Sequence, residues 1–240
     1  MANPYPAASV PLERRVLALI PAHDEAPRIA AVVLGAAAHL PVLVVDDGSS
    51  DATATVAEAA GATVLSQRPN QGKGAALRVG FRRAIDDGFE AVVTLDADGQ
   101  HDPAEIPTFL AVFRASSPDL VIGRRDLRGM PPIRRLANTL GGLTFSIAVG
   151  RRIPDNQSGY RLVSRRLMAS LLDSRERGFE FEVEMIATCL GRGLRLAWVP
   201  VRTIYAGEPS HIKPAQHVAS FLRAAWTARR TVRSSRRPAD

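Results

Sequence analysis

The chain has 240 residues, of which 46% are apolar and 23% charged, an ordinary globular composition that allows a sizeable core in one domain. Its net charge of +7 comes almost entirely from arginine, since Lys73 and Lys213 are its only lysines. Such an excess of arginine is compatible with phosphate-bearing partners. It is equally compatible with a codon-biased genome that prefers arginine. Cys189 is the only cysteine, which excludes an internal disulfide.

The distribution of apolar residues argues against a secretory signal peptide and against a membrane-spanning helix. The first fifteen residues contain three prolines and lack a continuous apolar core, so we expect no signal peptide. The stretch 29–45 resembles a membrane span by hydropathy, but His39 and Pro41 interrupt it. It divides better into a helix and a strand. The sequence therefore predicts a soluble or peripheral protein.

The first half of the chain alternates predicted strands with predicted helices. Short apolar runs predict strands at 16–20, 42–45, 63–66, 91–95 and 120–122. Helices are predicted between them at about 26–38, from Ser50 or Asp51 to Ala60, over 74–87, and from Asp102-Pro103 onward. This alternation indicates an α/β fold with a mostly parallel sheet covered by helices on both faces.

The second half follows a different pattern. Pro131-Pro132 opens an amphipathic helix that carries Leu136, Leu140, Leu143 and Ile147 on one face. Strands are predicted at 159–163 and 194–199, with a helix between them at 180–190 and a basic helix at 214–232. We see no repeat and no dividing linker. We therefore expect a flexible lead over 1–14, one domain over 15–215 and a basic amphipathic tail over 216–240.

Three predicted strands end in acidic clusters: Asp24-Glu25, Asp46-Asp47, and Asp96 with Asp98. Ligands of open parallel sheets bind beyond the carboxyl ends of the strands, where these clusters would meet. Carboxylates that converge on one rim repel each other unless a cation or hydrogen-bond donors compensate them. A hard divalent cation with oxygen ligands answers that need. Any one cluster alone could be a simple turn, but three at one rim favour a functional site.

A glycine-rich run, Asn70-Gln71-Gly72-Lys73-Gly74, precedes a predicted helix. It lacks the glycine–lysine spacing of a P-loop, and no GxGxxG follows the first strand, which argues against a dinucleotide oxidoreductase. Lys73 could belong to the site, or the run could only start the helix.

Other titratable residues leave alternatives open. The five histidines form no metal-ligand pattern, and His101 could support the Asp96–Asp98 motif or simply be solvated. Glu180, Glu182 and Glu184 could supply a catalytic base, although acids in the first turn of a helix are expected from the helix dipole alone.

Seven motifs together resemble glycosyltransferase family 2, and most closely its dolichyl- or polyprenyl-phosphate mannose and glucose synthases. They are Ile20-Pro21-Ala22-His23-Asp24-Glu25, Val44-Val45-Asp46-Asp47-Gly48-Ser49-Ser50-Asp51, Asn70-Gln71-Gly72-Lys73-Gly74, Asp96-Ala97-Asp98-Gly99-Gln100-His101, Gly123-Arg124-Arg125, Asp155-Asn156-Gln157-Ser158-Gly159-Tyr160-Arg161 and Val201-Arg202-Thr203-Ile204-Tyr205. A DxD motif alone is weak, but this set in this order is specific. The resemblance spans about residues 15–215 and implies the Rossmann-like GT-A fold.

The resemblance also implies site residues. Those for the nucleotide sugar are Pro21, Asp24, Glu25, Asp46, Asp47, Lys73 and Asp96. Asp96, Asp98 and Gln100 would hold Mg²⁺ or Mn²⁺, and Asp98, Arg125 and Arg202 would act in catalysis.

Four residues are expected to bind the molecule that accepts the sugar, and two separate arguments assign them. Asp155 and Ser158 are placed there by the resemblance. Arg134 and Arg135 are placed there because arginine is unfavourable at a helix N-terminus unless an anion lies opposite.

The resemblance implies metal-dependent, inverting transfer of mannose or glucose from a GDP- or UDP-sugar to a polyprenyl phosphate. We expect an enzyme bound peripherally at the cytoplasmic face of the membrane, with no nucleic-acid partner. Two alternatives stay open. One is a transferase to a sugar or small-molecule hydroxyl, which would need a general base. The other is a non-catalytic module that binds nucleotide sugars or membranes.

Overall fold

The structure, a computed structural model, describes residues 12, 15–125, 132–178, 180–202 and 229. Of residues 132–138 and 140 it describes the backbone alone. The expected lead over 1–14 and tail over 216–240 fall almost entirely outside this part of the chain, and so does nearly all of the predicted basic helix.

The described residues form a seven-stranded sheet in the order β3-β2-β1-β4-β6-β5-β7. The strands are β1 (Val16–Ala22), β2 (Val42–Asp47), β3 (Thr63–Gln67), β4 (Ala91–Thr94), β5 (Leu120–Arg125), β6 (Arg161–Ser164) and β7 (Leu196–Val201). Only β6 is antiparallel to its neighbours β4 and β5. The predicted mostly parallel α/β sheet is confirmed.

Helices cover both faces of the sheet. They are α1 (Ile29–Ala37), α2 (Thr53–Ala59), α3 (Lys73–Asp86), α4 (Ile106–Ser116), α5 (Pro132–Val149), α6 (Arg165–Leu171) and α7 (Glu180–Gly191), with a 3₁₀ turn at Pro103–Glu105. Successive side chains of a strand point to opposite faces. Leu17 and Leu19 accordingly join the core under α3, α6 and α7, while Ala18 and Ile20 join the core under α1 and α4.

Most predicted elements appear with ends shifted by a few residues. The helix expected from Asp102 begins as the 3₁₀ turn, with the Asp102 side chain accepting the Ala104 N–H at 3.0 Å. The strand expected at 159–163 begins only at Arg161. Helix α6 was not predicted; the Ser164 hydroxyl caps it by accepting the Leu167 N–H at 3.3 Å. In the described part of the chain, no helix is both long and apolar enough to span a bilayer.

Candidate active site

Parallel pairing brings the three acidic clusters to one rim. Strands β2, β1 and β4 are adjacent, and each carries an acidic cluster at or just after its carboxyl end. Asp46 of β2 lies opposite Ala22 of β1, and Thr94 of β4 lies opposite Leu19 of β1, so the segments that follow the three strands start side by side. The charge of Glu25, beyond β1, also contributes to raising the pKa of Asp98, beyond β4. The predicted convergence is therefore present in the structure.

Asp24 joins the loops that follow β1 and β2. Its backbone is left-handed, with φ of 54°. Its Oδ1 accepts the Ser50 N–H at 2.7 Å and the Ser50 hydroxyl at 3.1 Å, while its own N–H donates to Ser49 Oγ at 3.0 Å. The Ser50 N–H bond is the largest cause that lowers the pKa of Asp24. The loop therefore holds this carboxylate ionised and fixed at the rim.

Pro21 and Glu25 flank that loop on β1 and just beyond it. Pro21 is buried within β1, opposite Val45 of β2. The Glu25 N–H donates to Thr53 Oγ1 at 2.8 Å, and its carboxylate accepts from Arg28 at 2.9 Å.

The two aspartates at the end of β2 have different contacts. Asp46 is buried, and its Oδ1 accepts the Ser49 N–H at 3.1 Å. Asp47 accepts from the Gln67 side chain at 2.5 Å and from the N–H groups of Gln71 and Gly72, each at 2.7 Å. Asp47 thus shapes the glycine-rich loop and thereby sets where α3 begins.

Lys73, the first residue of α3, lies in the site. Its Nζ is 2.5 Å from Asp96 Oδ1 and 2.7 Å from Glu182 Oε1. Burial opposes the charge of this ammonium, but the two carboxylates outweigh burial, and the pKa of Lys73 is raised. For Asp96 burial likewise opposes ionisation, yet Lys73 brings its pKa down to about 2. Lys73 and Asp96 are therefore both charged.

Asp98 has the opposite electrostatic balance. Burial, followed by the negative charge of Asp96, raises the pKa of Asp98 to about 6. Its Oδ1 accepts the Gln100 N–H at 2.9 Å. A nearby cation would favour the ionised carboxylate, so this residue fits a metal ligand.

The metal ligands that the chain supplies are few. The described residues contain no group of three or more His, Cys, Asp or Glu side chains placed to hold a metal ion. Asp96 Oδ1 is already engaged by Lys73, which leaves its Oδ2 for a cation. With Asp98 and the Gln100 amide the motif then offers few ligands, so several of a divalent cation's oxygens would have to come from bound phosphates or water.

His101 is buried and contacts the Asp96–Asp98 motif rather than being solvated. It is only 6% exposed, and its Nδ1 accepts the Asp96 N–H at 3.0 Å. The neutral ring therefore carries its hydrogen on Nε2. Its ring stacks on Tyr160 at 4.9 Å, and burial is the main reason that the pKa of His101 is lowered.

Arg125, at the end of β5, is fixed by Asp155. Its Nε and Nη2 donate to the two carboxylate oxygens at 2.8 and 3.0 Å. Burial opposes the charge of Asp155, but the bonds from Arg125 lower its pKa. Asp155 Oδ1 also accepts the N–H groups of Gln157 and Ser158. Asp155 therefore holds Arg125, while the Ser158 hydroxyl is buried without a hydrogen-bond partner among the described residues.

The remaining expected site residues are less constrained. Arg202 follows β7 with a side chain that is 86% exposed, and its Nε lies 3.3 Å from Glu105 Oε1. Arg134 and Arg135 lie near the start of α5, and their side chains are outside the described residues.

Three residues that the sequence did not assign to the donor or metal site contact it. Glu182 was visible only as one of three acids at the start of α7. Gly159 has no room for a side chain, because a Cβ there would lie 2.9 Å from both Asp96 oxygens and from Lys73 Nζ. Arg161 is fully buried and donates to the backbone oxygens of Ser158, Asn156 and Glu182. Arg161 ends the motif Asp155–Arg161, but nothing in that motif shows that its side chain is buried rather than solvated.

Comparison with known proteins gives a consistent result. The sequence profile described as glycosyl transferase family 2 matches residues 18–172. The chain is 33% identical over 203 residues to an undecaprenyl-phosphate mannosyltransferase of Micrococcus luteus, covering 78% of this chain and 82% of that protein. It is 31% identical over 212 residues to a polyprenol monophosphomannose synthase of Mycolicibacterium smegmatis, covering 81% and 79%.

Among solved structures, the fold resembles glucosyl-3-phosphoglycerate synthase from Mycobacterium tuberculosis. The complex of that enzyme with Mn²⁺ and UDP-glucose superposes with a TM-score of 0.67 at 24% identity, covering 88% of this chain and 78% of that chain. This likeness confirms the expected GT-A fold.

Proposed function

Because this chain belongs to glycosyltransferase family 2, we propose that it transfers a hexose from a nucleotide sugar to a polyprenyl phosphate. The relatives named for mannose transfer to undecaprenyl or polyprenol phosphate, each at least 31% identical over more than three quarters of the chain, support this acceptor class. We propose GDP-mannose or a UDP-hexose as the donor.

The observation that carries the proposal is the pattern of charge at the rim. Burial and the charge of Asp96 raise the pKa of Asp98 to about 6. A bound cation would offset both effects, so this carboxylate suits a metal ligand. Arg125, a fixed guanidinium, lies close enough to Asp96 to help lower that residue's pKa. A cation ligand and a held arginine that both interact with Asp96 suit a diphosphate, whose oxygens can bind a metal ion and a guanidinium together.

The chemistry requires this arrangement at the leaving group. Breaking the sugar–phosphate bond builds negative charge on the departing nucleoside diphosphate. Arg125 is already oriented by two bonds from Asp155, so it can meet that charge without first reorganising. A bound Mg²⁺ or Mn²⁺ would supply further charge stabilisation, with Asp96, Asp98 and Gln100 as the residues that would hold it. The Mn²⁺ complex of the mycobacterial synthase supports this choice of cofactor.

The donor's nucleoside would lie against β1 and β2. Asp46 is buried at the end of β2, and one of its oxygens already accepts the Ser49 N–H. Its remaining acceptor capacity suits a base N–H or a ribose hydroxyl. Pro21, Asp24 and Glu25 complete this side of the proposed pocket.

A phosphate acceptor explains the lack of an assigned base. A phosphate monoester has a second pKa near 6, so at neutral pH it is largely a dianion that needs no enzyme base to become a nucleophile. A single displacement by its oxygen at the anomeric carbon would invert that centre and release the nucleoside diphosphate. Arg134 and Arg135 at the start of α5, with Ser158, are the residues that we propose for binding this phosphate.

Helix α5 also supports a peripheral membrane position. Leu143 and Ile147, four residues apart on one face, are 57% and 71% exposed. Apolar side chains exposed along one helix face suit the interface of a bilayer that holds the lipid acceptor.

The test is transfer by purified protein with a panel of labelled GDP- and UDP-hexoses and polyprenyl phosphate in detergent. We expect one donor to label the lipid and a chelator to stop the labelling. Donor binding with no transfer to any acceptor would identify a non-catalytic module instead.

A further inference from the structure

We propose that Glu182 and Lys73 form a positioning pair that holds Asp96 for the nucleotide-sugar donor and its cation. The inference rests on the proposed function. It adds a role for Glu182, which lies on α7 rather than on any of the rim loops.

The pair joins three separate elements through one ammonium group. Lys73 begins α3, Asp96 follows β4, and Glu182 lies in the first turn of α7. Lys73 Nζ is 2.5 Å from Asp96 Oδ1 and 2.7 Å from Glu182 Oε1. Glu182 therefore fixes the direction from which Lys73 approaches Asp96.

Burial makes a purely structural role a poor explanation. The side chains of Lys73 and Glu182 are only 18% and 5% exposed. Removing such a pair from water is costly, and apolar residues of similar volume are often as stable or more stable. A site that needs a charged, oriented Asp96 gives these buried charges a purpose.

Close backbone contacts keep the distance between α3 and α7 short. The Gly74 N–H donates to the Arg177 carbonyl at 2.7 Å. A Cβ on Gly74 would lie 2.8 Å from Phe181 Cβ, so the two helix starts touch directly. The ammonium of Lys73 consequently has a fixed place between the two carboxylates.

Loss of the Glu182 charge should act on the rim in two ways. Lys73 would lose the partner that orients it, so Asp96 would be held less firmly. The site would also gain one net positive charge and attract a divalent cation less strongly.

The experiment measures binding of Mn²⁺ together with the nucleotide-sugar donor by calorimetry in the absence of any lipid. For Glu182→Gln we expect the affinity to fall about 10- to 100-fold, as for other residues that orient a metal ligand. Glu184→Gln is the matched control, because Glu184 lies on the same helix and bonds Ser174 rather than Lys73. We expect its affinity to equal that of the wild type.

A double variant separates positioning from folding. Lys73→Met with Glu182→Leu removes both members of the pair but leaves the Asp96 carboxylate without its ammonium, so we expect this variant to unfold at a lower temperature than the wild type. Its circular dichroism should show that it is folded at the temperature of the binding experiment. We expect it still to bind Mn²⁺ and donor at least tenfold more weakly than the wild type. Wild-type affinity in the double variant, or in a folded Glu182→Gln protein, would overturn the pairing role.

The outcomes also distinguish this inference from the proposed function. If the wild-type protein binds donor and Mn²⁺ but labels no polyprenyl phosphate, only the acceptor assignment fails. If it binds neither, both proposals fail together.

Discussion

Asp98 carries the sharpest expectation among single residues. It is the rim carboxylate whose pKa is raised to about 6, and it lies beyond the carboxyl end of β4 rather than within either core. We predict that Asp98→Asn lowers kcat by about 10²- to 10³-fold, the loss typical when one electrostatic stabiliser is removed. Steady-state kinetics with excess Mn²⁺ would measure this.

The control for that substitution is Asp86→Asn on the exposed end of α3. It should leave kcat unchanged, and thermal unfolding should show both variants folded. Undiminished transfer by Asp98→Asn, or full wild-type transfer in excess chelator, would show that the reaction needs no divalent cation at Asp98.

Asp46 is expected to act on binding rather than on chemistry. Asp46→Ala removes a buried charge-assisted acceptor, which should weaken nucleotide-sugar binding by about 1.5–3 kcal/mol. Calorimetry measures the change directly. Asp46→Asn, which keeps an acceptor for the Ser49 N–H, separates the effect of charge from that of loop geometry. Equal donor affinity in all three proteins would argue against a nucleoside role.

At the scale of elements, the contact between α3 and β1 is tight enough to test. A Cβ on Gly80 would lie 2.3 Å from Leu19 Cδ1, and Leu19 is fully buried. Replacing glycine by alanine in a helix normally gains up to about 1 kcal/mol, whereas overpacking a core costs about 1–3 kcal/mol.

We therefore predict that Gly80→Ala lowers the free energy of unfolding, as measured by urea denaturation. The neighbouring Val79→Ala, whose side chain is 38% exposed, should change it little. A stabilised Gly80→Ala protein would mean that α3 lies farther from β1 than the structure shows.

Elements differ in how far the sequence predicts them, for physical reasons. Buried parallel strands such as β2 are short apolar runs ended by acidic and glycine residues, so they are visible locally. Helix α6 is missed because it is short and opens with two arginines after a single capping serine. The antiparallel direction of β6 depends on its neighbours and leaves no mark in its own residues.

The site divides in the same way. Adjacent parallel strands had to bring their carboxyl ends together, so the acidic rim was predictable from three short runs. Glu182 was visible only as a possible base, and its contact with Lys73 was not predictable, because it depends on the tertiary contact between α7 and α3. Arg134 and Arg135 stay predictions, since their side chains lie outside the described residues.

At the scale of the whole molecule, we predict peripheral membrane binding through α5 and the basic residues of 216–240. The 240-residue chain should float with liposomes that contain anionic lipid, because basic amphipathic segments bind such interfaces. Leu143→Ser with Ile147→Ser should reduce flotation, and so should deletion of residues 216–240. Equal flotation of all three proteins would exclude these segments as the membrane contact.

The chemical identity of the acceptor tests the central claim most directly. One labelled nucleotide hexose is offered to the enzyme with polyprenyl phosphate, with the matching polyprenol, or with a simple sugar, each at equal concentration. The account predicts label only on polyprenyl phosphate, because only that acceptor carries a nucleophile that needs no enzyme base. Faster transfer to the polyprenol or to the sugar hydroxyl would contradict it.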